Sequence, residues 1–231
     1  MKTAVHFPLA ASLLAVQARS EEAKLACSDG LTLARGPVDE AVFSRAASHG
    51  VRAEWCERYD ASGRSERLGR YIERRPDGTV RLAATYIEGR LAGPIVAYHE
   101  NGTVFLRGEL TGGDWRGPVS LHHHNGALLW SGSFEGGRLD GHVRLHHPDG
   151  GLAGEARFRA GREDGAARSF YSRARGGGLQ SEVQVEADTF VGLHRTFDLE
   201  GNETLRAAAN TAPETGSTPM PVTVAATASL D

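Results

Sequence analysis

Ten histidines are the first residues of this chain that could do chemistry. His99, His123 and His147 recur 24 residues apart, with His122 and His146 beside them and His124 and His142 close by. Imidazoles bind zinc, copper and nickel, and they titrate near neutral pH. A single metal needs its ligands within a few ångströms of one another. In an antiparallel sheet with two strands per period, equivalent residues stand about 10 Å apart, too far for one ion. His122 and His123 are consecutive, so on a strand they point to opposite faces. The histidines therefore read as structural columns, shared in one case with Tyr98, Phe170 and Phe197, and neither a metal nor a cofactor is expected.

Cys27 and Cys56 are the only cysteines. Residues 1–18 read as a secretory signal peptide, with Lys2 as a short positive region, an apolar run and Val16-Gln17-Ala18 as the cleavage pattern. An even cysteine count behind an export signal reads as one disulfide, here Cys27–Cys56, in a periplasmic or extracellular protein. Acylation at Cys27 is the weaker reading, because Lys24 stands where a lipoprotein signal wants an apolar residue. No later stretch is long and apolar enough for a transmembrane helix. Catalytic signatures are missing: there is no G-x-S-x-G elbow, no P-loop and no H-E-x-x-H. The chain is not expected to be an enzyme.

The net charge of -3, from 26 basic and 29 acidic residues, gives no field for nucleic-acid binding, which rests on neutralising phosphates. Between Arg64 and Arg206 there are 19 arginines and 19 acidic residues, a balance that offers little to an anionic lipid surface.

The elements that position these residues follow from glycine. Gly69, Gly93, Gly117, Gly141 and Gly165 are 24 residues apart; so are Gly78, Gly102, Gly126 and Gly150, and so are Gly89, Gly113, Gly137 and Gly161. The turn glycines Gly78, Gly102, Gly126 and Gly150 each follow Asp or Asn, which predicts two-residue type I′ hairpins there. The other two columns bracket a looser reversal. Between turns the apolar residues alternate. Val80, Leu82, Ala84 and Tyr86 share a face, with equivalents in the later units, and Phe105, Leu129 and Ala153 are expected on the opposite face. A fifth unit has a lengthened turn over 173–178, and the register resumes at Gly192.

The prediction is an all-β fold: an elongated antiparallel β-meander, one twisted sheet roughly 50–60 Å long. Its units start at 69, 93, 117, 141, 165 and 192. A cap over 19–68, with a strand at Arg52 to Tyr59 and stapled by the disulfide, precedes the repeats of 69–206. A Thr/Ala/Pro-rich segment, 207–231, reads as disordered.

The glycine and aromatic pattern running from Gly132-Ser133-Phe134 through Gly141 to Asp149-Gly150 resembles the MORN repeat, in the bacterial variant form of antitoxin-component-like proteins. The resemblance covers 69–206 and implies a binding sheet and no catalyst. Eukaryotic MORN proteins are associated with membranes, phosphoinositides and protein scaffolding. The function expected is a scaffold for another envelope or secreted protein. Alternatives are a carbohydrate or cell-wall binding module and an antitoxin-like component that neutralises a partner protein. Candidate surface residues are Trp115, Trp130, Phe105, His99, His123 and His147.

Overall fold

The computed structural model describes residues 25–37 and 50–208. The expected signal peptide, and the 207–231 segment from residue 209 onward, lie outside the described residues. Seventeen strands form one sheet, and among the described residues there is no α-helix. The cap supplies β1 (Thr32–Pro37) and β2 (Arg52–Tyr59). Next come β3 (Ser65–Arg74), β4 (Val80–Ile87), β5 (Arg90–Leu91) and β6 (Gly93–Tyr98). The middle holds β7 (Val104–Thr111), β8 (Asp114–His122), β9 (Leu128–Glu135), β10 (Arg138–Leu139) and β11 (Gly141–His146). The last part holds β12 (Leu152–Arg159), β13 (Arg162–Glu163), β14 (Gly165–Phe170), β15 (Leu179–Glu186), β16 (Thr189–Phe197) and β17 (Glu203–Ala208). Each strand pairs antiparallel with its chain neighbours. Where a strand breaks, as at Ala92, both pieces pair with the same partner: β4 takes Leu91 at Tyr86 and Ala97 at Leu82.

The turn types are the reverse of those expected. At the Asx-Gly end, Asp77, Asn101, Asn125 and Asp149 are not left-handed; only the glycine after each is. The Gly126 N–H donates to the His123 carbonyl and the His123 N–H to the Ala127 carbonyl, both at 2.8 Å. That is a three-residue loop, a type I turn closed by a left-handed glycine. Asp or Asn is needed for its oxygen: Asp77 Oδ1 accepts from the Thr79 N–H and hydroxyl, and Asn125 Oδ1 from the Ala127 N–H. The two-residue type I′ turns lie at the other end. There Glu88-Gly89, Gly112-Gly113, Gly136-Gly137, Ala160-Gly161 and Ala187-Asp188 all have positive φ at both positions.

The three-residue loop displaces the alternation. Tyr98 pairs with Val104 and Ala97 with Leu106, so Phe105 is an extra residue in a β-bulge. Phe105 and Leu129 consequently join the main core cluster on the inner face and do not stand on the opposite face as strict alternation required. Val80, across the same kind of bulge, packs with the outer-face cluster.

The inner face carries the core: Tyr71, Leu82, Ile95, Ala97, Leu106, Val119, Trp130 and Val143 are buried along it. Its small column makes room for large neighbours. A Cβ on Gly108 would fall 2.6 Å from the Trp115 ring, and one on Gly132 would fall 2.7 Å from Trp130. The cap covers the outer face at one end. The Cys27–Cys56 disulfide, with an S–S distance of 2.06 Å, pins the Leu25 segment against Ile72 and Val80. On the inner face the same end closes with the Arg67 guanidinium 4.6 Å over Trp55, while Trp55 and Tyr59 donate hydrogen bonds to Glu57. Those two bonds hold Glu57 below the usual carboxylate range.

Candidate functional site

His99, His123 and His147 lie along the Asx-Gly rim. The three-residue loops there start at Arg75, His99, His123, His147 and Asp198. The strand before each loop ends in a bulge, so the last carbonyl points sideways without a strand partner. A buried carbonyl left this way needs a donor. The preceding unit provides it. His99 Nε2 donates to the His122 carbonyl (2.8 Å), His123 Nε2 to His146 (3.1 Å) and His147 Nε2 to Phe170 (3.0 Å). Arg75 opens the series on the Tyr98 carbonyl, and the Tyr171 hydroxyl closes it on Phe197. Because a carbonyl only accepts, the imidazoles carry their proton on Nε2. Asn101 and Asn125 add Nδ2 bonds to the His124 and Pro148 carbonyls.

The opposite rim is laced mainly by backbone, with Asp140 Oδ2 and Asp188 Oδ1 accepting from the Ala160 and Glu163 N–H groups. The Gly113, Gly137 and Gly161 N–H groups donate to the carbonyls of Leu91, Trp115 and Leu139 in the unit before. The donor lies in the later unit here and in the earlier unit at the histidine rim.

This geometry gives each proposed surface residue a place. His99, His123 and His147 are clamps between units. His99 also stacks on His124 at 3.9 Å and meets the edge of Phe105 at 5.0 Å. Burial lowers the His99 pKa, partly offset by its bond to the His122 carbonyl. Burial also lowers His146, helped by the nearby Arg144 charge. Phe105 and Trp130 are buried, and Trp115 is half-buried over Gly108, so these three are packing residues and not a displayed aromatic surface. Among the described residues no group of three or more His, Cys, Asp or Glu is placed to hold a metal ion.

Two carboxylates sit in unusual surroundings. Glu73 is buried on the inner face, bonded by Tyr71 and paired with buried Arg81 at 3.1 Å. Glu163 occupies the position that Leu91, Trp115 and Leu139 fill in other units, and burial, with Asp188 beside it, raises its pKa.

The outer face is chemically uneven along one cross-strand row. Its first part lies under the cap, around Ile72. Its last part neutralises itself: Arg168 bridges Glu155 and Glu182, and Arg195 bridges Glu182 and Glu203. Hydrogen bonds from Arg168 and Arg195 hold Glu182 below its ordinary range. Between these parts the register aligns Arg107, Ser120, Ser131 and Arg144 on successive strands. Both arginines are exposed, and neither forms an ion pair among the described residues. This middle stretch is not legible from linear sequence, since its members lie 11 to 13 residues apart and only the register joins them. No family model matches the chain, and no curated protein matches it either.

Proposed function

We propose that the chain is a non-catalytic MORN-type repeat protein of an exported compartment, whose sheet is a binding scaffold for another envelope or secreted protein. What supports the reading above all is the use made of the histidines. The side chains best suited to metal or acid–base work are committed to lacing units together. The result is a stiff sheet that keeps one face for its own core and leaves the central outer face open. The Cys27–Cys56 disulfide fits an oxidising compartment. The carbohydrate alternative relied on Trp115 and Trp130, whose rings pack over Gly108 and Gly132. No helix among the described residues is long and apolar enough to cross a membrane.

The test is a pull-down from envelope extract with the oxidised chain as bait, followed by reconstitution with each captured protein. A single partner retained in stoichiometric amount is the expected result. Capture of none, or retention on a cell-wall glycan matrix alone, would overturn the scaffold reading.

A further inference from the structure

We infer that the central outer face is the docking site of this scaffold, and that it takes an extended acidic peptide segment of the partner. The inference rests on the scaffold reading and adds the chemistry of the contact. Arg107, Ser120, Ser131 and Arg144 lie side by side on β7, β8, β9 and β11. Three strand spacings separate the two arginines, about 14 Å. An extended peptide repeats its side-chain direction every second residue, so positions i and i+4 lie about 13 Å apart. Carboxylates at those positions would meet both guanidiniums, each a planar fork suited to a carboxylate. The Ser131 hydroxyl between them has no hydrogen bond among the described residues and faces the middle of such a peptide. The Ser120 hydroxyl is turned aside, 3.2 Å from His122 Nε2, because His122 Nδ1 bonds the Gly126 carbonyl.

Charge on the rest of this face favours the same ligand. His142 and Arg157 stand nearby and exposed. Of the two closest carboxylates, Glu109 lies across from Arg116 in the strand register, and Glu155 is bound by Arg168. The arginines farther along the row are paired with glutamates of this chain, whereas Arg107 and Arg144 form no ion pair among the described residues, and Glu155, which stands opposite Arg144 in the register, turns to Arg168. The chain's own ladder shows what the row accepts: carboxylates on the same face.

The experiment is fluorescence anisotropy with labelled nine-residue Ser/Thr/Val peptides on the oxidised full chain. One carries glutamates at i and i+4, a second carries them at i and i+1, and a third carries lysines at i and i+4. The first should bind, weaken steeply with salt, and lose at least tenfold in affinity with either Arg107→Ala or Arg144→Ala. Arg138→Ala, on the other rim, should leave it unchanged. Circular dichroism and melting of the variants report folding independently. Equal binding of the first two peptides, indifference to both arginine variants, or binding only to anionic vesicles or a polyuronate would overturn the inference. So would silence of all three peptides. If the pull-down still captured a protein partner, and capture survived Arg107→Ala/Arg144→Ala, the scaffold reading would stand and this docking site would fall.

Discussion

The two ends of the sheet are built from the same repeat but held by different physics. At the cap end, a disulfide, a buried Glu73–Arg81 pair and Arg67 over Trp55 tie down the first four strands, and the Leu25 segment shields the outer face. At the far end the inner row turns polar: Ser169 bonds Ser181 and Thr196 bonds Thr204. Phe190, Leu193, Leu199 and Leu205 are exposed there, and the ion pairs are solvent-facing. Exposed pairs contribute little to stability, whereas a buried pair is costly to break. In an array whose units touch only neighbours, stability is local. The molecule is therefore anchored at one end and graded toward the other.

The largest effect is expected from Arg81→Met. It leaves the buried Glu73 carboxylate without its partner and should cost about 3–5 kcal/mol in denaturant unfolding. Arg168→Met should cost less than about 1 kcal/mol. Equal losses would erase the distinction between the ends. Next in size is Cys27→Ser with Cys56→Ser, expected to cost about 3–4 kcal/mol. Hydrogen exchange should then show protection lost in β1–β4 and retained in β14–β17.

The rim clamps lie between these extremes. His123→Ala strands the His146 carbonyl and should cost about 1–3 kcal/mol, measured by thermal melting. The same rim makes stability pH-dependent. His99 and His146 have folded-state pKa values below the ordinary 6.5. They bind protons less readily than the unfolded chain does. Stability is complete above that value and falls as the pH drops through the folded values. A melting temperature flat from pH 7.5 to pH 5 would contradict this. The smallest effect has the opposite sign. Glu163→Leu restores the apolar type of Leu91 and Leu139, removes a carboxylate from beside Asp188, and should add about 0.5–2 kcal/mol at neutral pH. A loss of stability would mean that Glu163 is held by something more than burial.

Much of this was legible in the glycine columns. The all-β meander, the paired reversals and the irregular fifth unit, with its short 3-10 turn at Arg173–Arg175, follow from spacing, and the disulfide from the two cysteines read together with an export signal. The turn types did not follow, because Asn-Gly suits two geometries. It fits a type I′ turn by backbone freedom, and it fits a type I turn by a side-chain oxygen that accepts from two residues on. The choice belongs to the neighbours: Pro76 suits the second position of a type I turn and lacks the N–H that a two-residue hairpin would need there. That one substitution of turn adds a residue to each strand end, which is why Phe105 and Leu129 sit in the core. Burial of Trp130 was open to reading, since it stands two repeats after Leu82 on the shared apolar face and Gly132, two residues on, makes room for its ring. The balanced charge count was correct and uninformative. Register sorted equal numbers of arginines and acids into a paired stretch and an unpaired one.

The two rim ladders have a mechanical corollary. The backbone bonds between units run along the long axis of the sheet, so tension applied between the two ends loads them a few at a time, as in opening a zip. The molecule would yield at low force, one unit after another from the far end inward, each releasing about 80 Å of chain for its 24 residues. The disulfide-pinned strands would let go last.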